Sequence, residues 1–372
     1  MNKEVYYNLV NNYLSLISAY LNKKEVKDFK IDESNISFFL KFSKKHNLTA
    51  LFYKVVKDTK VDIPKEYLDK LEEYYLVNLR KSLSFEKERK DLYRFLNENQ
   101  IDFLPLKGII IKDYYPDPNS REFADNDILF GSKDKAIRDY FISKGYKVEM
   151  FRKYNHDTYL KKPFYNFEMH RALFTAREDI LKFVKYFEDF LSKAKVKKDY
   201  EHESSKEDFY IYFTAHSFKH FNTSGCGVRT LIDYYLYLKN NTLDFDYINQ
   251  ELEKLDLLDF SNSIINLSNK VFDNKELNEE EKETLIFIAS SGTYGTLEHS
   301  VSRGVKEKGK FRYLMSRVFP PIAFYKTSYP WAYKTKILIP VAWLFRLFRI
   351  IFTNPKKATN EIKLINKQKK NK

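Results

Sequence analysis

The chain has 372 residues and a net charge of +14, and aromatic residues, nearly all Tyr and Phe, make up 17% of it. That length supplies core for two domains or one large composite one, and a single cysteine, Cys226, excludes an intramolecular disulfide and a cysteine-built zinc site. The basicity is concentrated at one end: residues 301–372 hold 18 Lys and Arg against two acids, whereas the first 300 hold 47 basic and 49 acidic groups.

The opening residues lack the basic-then-apolar pattern of a signal peptide, so a reducing, cytoplasmic setting is expected. The first hundred residues read as helical. Residues 2–21, 37–45 and 47–57 carry apolar side chains at three-to-four spacing. Pro64 opens a Leu-, Lys- and Glu-rich pattern to residue 97, two helices or one bent helix. The period then changes. Residues 101–104 read as a strand, Leu106-Lys107-Gly108 as a turn into a helix over 109–115, and 127–130 as the end of a second strand. A helix over 134–144 closes at Gly145. Residues 146–151, 157–161 and 164–170 read as strands. Helical patterns follow at 180–193, 208–221, 228–240, 245–255, 259–271 and 279–290. The reading is α+β: a small mixed β-sheet core flanked by helical regions. Its divisions are a helical region over 1–99, an α/β core over 100–200, a helical region packing on it over 201–300 and a basic region over 301–372. The lysine-rich end, 367–372, is expected to be unstructured.

Three acids carry the chemistry. Asp125 and Asp127 are two apart at a strand, so they project to one side, and Glu168 can join them from a neighbouring strand. Hard oxygen ligands on a rigid surface are what divalent magnesium needs beside a triphosphate. The bland alternative is a solvated acidic strand end. Lys107 and Gly108 lie at a strand-to-helix turn, where free N–H groups and a point charge could meet a phosphate; otherwise they are an ordinary turn glycine and an exposed lysine. Arg121 binds a phosphate or braces the strand, or else forms a surface ion pair with Glu122 or Asp125. His170 shares a face with Glu168 and could orient it, or is a satisfied structural histidine. His216 and His220 share a helix face. Ser217 stands where a metalloprotease helix needs Glu, so zinc hydrolysis is not expected.

Read together, Leu106-Lys107-Gly108, Arg121, the Asp125-Asn126-Asp127 triplet, Gly145-Tyr146 and Phe167-Glu168-Met169-His170 resemble the uncharacterised nucleotidyltransferase family of the DNA polymerase β-like superfamily. His216, Lys219, His220, Arg229 and Asp233 match its downstream His-bearing helix and Arg–Asp pair. The resemblance runs from about Phe39 to Asp233, and less specifically over 292–340. Two departures stand out. Lys107-Gly108 replaces the wider superfamily's Gly-Ser, as it does in the narrower family. Asn126 stands where Ile is commoner, which implies a less buried strand edge.

The resemblance implies that Asp125 and Asp127 hold the magnesium carrying the nucleotide phosphates and share a second ion with Glu168, manganese being the alternative metal. Glu168 would then act as base toward an acceptor hydroxyl. Lys107, Gly108 and Arg121 would bind the nucleotide. Lys219, His220 and Arg229 would line its pocket with His170 and His216, and Asp233 would bond one of that lining trio; the alternative is a purely structural polar seam between helices. The expected activity moves a nucleoside monophosphate from an NTP to a small molecule, sugar-phosphate, RNA or protein. A role in surface-polysaccharide synthesis leads; an RNA-modifying, toxin-like enzyme or a catalytically silent membrane-associated adaptor are the competitors. Residues 337–352 are too short, and too interrupted by Pro340, Arg346 and Arg349, to span a bilayer. They read as an amphipathic basic helix for an anionic membrane surface at the inner face of the membrane, or as a helix docked on the protein's own core with a polar outer stripe.

Overall fold

The computed structural model of the chain describes every residue except 27–30, 176–179, 224, 294, 321, 323, 326–328, 354 and 368–372. The end expected to be unstructured therefore lies, past Lys367, outside the described residues. Helix α1 (Lys3–Leu21) begins where the Asn2 side chain accepts the Glu4 amide, and it buries Val10, Tyr13, Leu14, Ile17 and Leu21 along one stripe. Helix α2 (Glu33–His46) starts on Asp32, which accepts the Asn35 amide at 2.7 Å, and stops at Asn47 in the left-handed region. After α3 (Thr49–Thr59), α4 (Lys65–Glu98) runs unbroken for 34 residues. Its buried positions Ser82, Phe85, Arg89, Leu92 and Leu96 recur every three to four residues, which keeps one face on the sheet.

Seven strands form one mixed sheet in the order β3-β4-β5-β2-β1-β7-β6. They are β1 (Phe103–Pro105), β2 (Asn126–Phe130), β3 (Lys147–Met150), β4 (His156–Lys161), β5 (Tyr165–His170), β6 (Lys195–Lys198) and β7 (Glu201–Glu203). β2 is antiparallel to β1 and parallel to β5. The α+β class read from the sequence is the architecture found. Strands β6 and β7 were not foreseen; β6 is exposed on both faces and carries three lysines, so it has no apolar alternation to read. The expected helix over 180–193 is two short ones, α7 (Leu181–Tyr186) and α8 (Phe190–Lys193).

Between β1 and β2 lies the single turn α5 (Gly108–Ile111), continued by a 3-10 turn over Lys112–Tyr114. Helix α6 (Asp134–Ser143) ends before Gly145, whose φ of 79° suits glycine. Along β2 and β5 the side chains alternate. Ile128, Phe130, Phe167 and Met169 join Leu92 and Leu96 of α4 and Ile137 and Phe141 of α6 in one core. Each such fully buried side chain contributes roughly 1.5–3 kcal/mol.

A second, larger core covers the other side. It unites α1–α3 with α9 (Lys206–Thr223), α10 (Arg229–Asn240), α11 (Phe245–Lys254), α12 (Leu258–Phe272) and α13 (Glu279–Ser291). Helices from both ends of the chain therefore share one interior. The Ser18 hydroxyl donates to the Phe272 carbonyl at 2.6 Å. The buried His46 ring donates from Nε2 to the Ala289 carbonyl and accepts the Val228 amide at Nδ1. Asn126, expected at a less buried strand edge, is fully buried on a central strand. Its amide oxygen accepts from Arg89 Nη1 of α4 at 2.8 Å, while its amide nitrogen is buried with no hydrogen-bond partner among the described residues.

Candidate active site

The sheet register does most of the positioning. Asp127 and Glu168 stand directly abreast on the parallel pair β2/β5, and His156 stands opposite His170 on β4/β5. Because Ile128, Phe167 and Met169 face the α4/α6 core, the alternation turns Asp127, Glu168 and His170 to the opposite face. Asp125 lies one residue before β2 rather than within it, and still lines the same cavity.

That cavity has a volume of about 400 Å³. Its walls include Asp125, Asp127, Glu168, Lys107, Arg229 and Lys219. A larger cleft of about 780 Å³ opens beside Arg89, Lys112, His202 and Tyr237 and contains none of the three carboxylates. The smaller cavity is thus where the chemistry collects.

Lys107 Nζ and His170 Nε2 both donate to Asp127 Oδ1 at 2.8 Å. With the proton on Nε2, His170 Nδ1 faces the Asn155 amide nitrogen at 3.4 Å. Glu168 Oε2 lies 3.7 Å from Nε2 of both His156 and His170. The ligand atoms of His156, Glu168 and His170 all fall within 4.8 Å of one another.

Burial and crowding divide the acids. Burial works against the Asp127 carboxylate, but Lys107 and His170 hold it below the usual range. Burial, then the neighbouring Asp127, pushes Asp125 up to about 6. Burial and the charges of Asp127 and Asp125 push Glu168 up to about 7. Lys107 is pulled down by burial but raised more by Asp127, and stays charged. Burial lowers His156 and His220 to about 4, and lowers His170 and His216 as well, so all four rings are neutral.

Arg121 is not at the surface. Its buried guanidinium forks onto Asp233 of α10, with Nε to Oδ1 at 2.9 Å and Nη2 to Oδ2 at 2.7 Å. Tyr115 donates to the same Oδ1 at 2.7 Å. Asp233 therefore bonds Arg121 and Tyr115, not Lys219, His220 or Arg229 as expected. Glu122, offered as an alternative partner of Arg121, instead accepts the Ala50 amide at the start of α3 and the Tyr74 hydroxyl. Arg229 donates to the Glu122 carbonyl at 2.6 Å. Gly108 earns its place through packing: a Cβ there would lie 2.7 Å from Arg121 Nη1. The expected fan of free amides at α5 is largely absent, because Ile109, Ile110 and Ile111 donate to the Leu106 and Lys107 carbonyls.

From α9, His216 and His220 meet through their Nε2 atoms at 3.1 Å, and Lys219 lies 6.0 Å over the Phe174 ring. His216 Nδ1 and the Tyr212 hydroxyl are buried without a hydrogen-bond partner. Tyr212, His216 and His220 repeat every four residues on the helix face that covers the carboxylates. The sequence reading missed two members of this group. His156 falls just before the strand expected over 157–161, and Tyr212 is one more aromatic in the helix expected over 208–221. The alternation of β4, with His156 in register with Thr158 and Leu160, was the available signal.

Two carboxylates abreast on a mixed sheet, a third one residue before it, and a lysine on the turn into α5 thus line one cavity of an α+β protein. The chain belongs to the family described as uncharacterised nucleotidyltransferase, whose model matches residues 32–273. Comparison with curated proteins and with solved structures gave no significant match.

Proposed function

We propose that this chain transfers a nucleoside monophosphate from an NTP to a hydroxyl or phosphate of an acceptor, with release of pyrophosphate. An acceptor oxygen attacks the α-phosphorus, and the bond from that phosphorus to the oxygen bridging to the β-phosphate breaks. The observation that carries this reading is the convergence of Asp127 and Glu168, abreast in register, with Asp125 on the wall of one cavity. Its volume of about 400 Å³ lies in the range of small-molecule sites.

The donor set fits a hard divalent cation. Three carboxylates share one wall with Lys107 as a counter-charge, and burial, followed by their mutual repulsion, raises Asp125 and Glu168. Asp125, Asp127 and Glu168 would hold magnesium, or manganese, which favours the same oxygen donors. When bound, such ions neutralise the phosphates and acidify the acceptor hydroxyl.

The chain's own groups divide the remaining work. Glu168, poised at about 7, is matched to accept the acceptor's proton near neutral pH. Lys107 and Arg229 supply positive charge at the cavity for the phosphates. Arg121, which also lines the cavity, is held by Asp233 through Nε and Nη2 and so braces the turn at Gly108 against α10. His170 holds the Asp127 carboxylate in orientation. The acceptor we propose belongs to surface-polysaccharide synthesis, which suits a catalytic unit attached to a basic end at the inner face of a membrane.

The test incubates the purified chain and a cell lysate with magnesium or manganese and each α-labelled NTP. Label should enter a small-molecule or sugar-phosphate acceptor, and Asp127→Asn should abolish it with the circular dichroism unchanged. Undiminished transfer by that variant would remove the metal assignment. Label in RNA would move the acceptor to the toxin-like alternative.

A further inference from the structure

The C-terminal helix Ile339–Thr353 has two unlike sides. Its inner side is spoken for. Ala342 is buried with Tyr325, Tyr329 and Ala332, and Trp343 stacks on Phe319 at 4.9 Å while donating Nε1–H to the Val318 carbonyl. Arg346 also turns inward, to the carbonyls of Arg317 and Val318. The outer side carries Val341, Leu344, Phe345, Phe348 and Phe352, and Ile337 precedes it. All six are exposed, Ile337 at 85%, Phe352 at 78% and Phe345 at 60%. Positions 341, 345, 348 and 352 fall on one stripe by the helical repeat. The sequence left open a helix docked on its own core with a polar outer stripe; the helix is docked, and its outer stripe is apolar.

We infer that this stripe is a docking face for an anionic lipid bilayer, on which the helix lies in the plane of the interface. Contiguous bare apolar surface of this kind marks an interaction site. Charge selects the partner. Residues 301–372 carry 18 basic groups and two acids, and one of those acids, Glu361, is paired with Arg317 at 2.6 Å. Lys334 and Lys336 are exposed just before the stripe. An amphipathic helix with basic flanks and a Phe/Leu face is the composition that anionic headgroups and acyl chains hold together.

Other occupants fit less well. A second copy would bring two strongly basic surfaces together. RNA would use the lysines and arginines but gains nothing from bare Ile337, Val341 and Leu344. Insertion across the bilayer is ruled out for this segment: 15 residues of helix reach only about 22 Å, against a hydrocarbon core of about 30 Å. Among the described residues no helix is long and apolar enough to cross a membrane.

The experiment is flotation of the full chain, without nucleotide, on vesicles of phosphatidylcholine alone or with one third phosphatidylserine. Its outcome is independent of the transferase reading. The chain should float with the anionic vesicles and remain behind with the neutral ones. The double variant Phe345→Glu, Phe348→Glu should cut binding by about tenfold or more with an unchanged circular dichroism spectrum. Phe311→Glu, exposed on a different helix, controls for added charge and should retain most binding. Failure to float at low salt, equal flotation of the double variant, or an RNA gel shift abolished by it while vesicles are ignored would each overturn the inference.

Discussion

On one face of the central sheet Phe103, Ile128, Tyr159, Phe167 and Met169 pack against α4 and α6; on the other, Asp127, Glu168, His156 and His170 meet α9. Both faces are made by the same strands, one residue out of step. The first is ordinary core, where every side chain adds to stability. The second gathers acids that burial, and then their neighbours' charges, raise toward neutrality in two of three cases. Strand alternation thus lets one sheet separate what holds the fold from what strains it.

Substitutions on the two faces should therefore part company. The largest effect is expected for Asp125→Asn, which should cut nucleotidyl transfer by about 10²–10³-fold, measured by labelled-NTP turnover, while thermal stability holds or rises. A fall in both together would make the residue structural. Phe167→Ala on the opposite face should do the reverse, costing about 3–5 kcal/mol in urea unfolding. Turnover per folded molecule should stay within a few-fold. Gly108→Ala tests the link between them: its Cβ would push into an Arg121 fork already pinned by Asp233. We expect a loss of roughly 1–3 kcal/mol, together with weakened NTP binding; an unperturbed melting temperature would show that Arg121 gives way.

The smallest effect concerns pH. Glu168 titrates near 7 in the fold and near 4.5 when unfolded, so the native state holds its proton more tightly. Its ionisation costs stability that is present below 4.5 and lost as pH rises through about 7. Glu168→Gln, without divalent ions, should therefore be more stable than the parent at pH 8. The advantage should shrink toward pH 5. A difference in melting temperature that is flat with pH would place the carboxylate outside the crowded cluster. Comparing the two proteins cancels the opposing contribution of the neutral histidines.

Much of this division was legible in the sequence. The period-two spacing of Asp125 and Asp127 and the later Glu168 pointed to one acid-bearing face before any register was known, and the three-to-four repeats located α1–α4 and α9–α13 to within a few residues. What escaped notice depends on partners far along the chain. Asn126 reads as an edge residue because nothing local reveals Arg89, 37 positions earlier. Arg121 reads as a ligand or surface ion because Asp233 lies 112 positions later. Strand β6 exists through pairing with β7 alone, with lysines on both faces and no pattern to betray it.

The interior shared by the two ends has a consequence for how the chain is made. Ser18 waits for Phe272, 254 positions downstream, and His46 for Ala289. On the ribosome the first three helices emerge long before the helices that complete their packing, so the usual order of N-terminal parts finishing first does not hold here. The packing of α1–α3 is completed only when α12 and α13 have left the exit tunnel, and until then their aromatic faces stay uncovered.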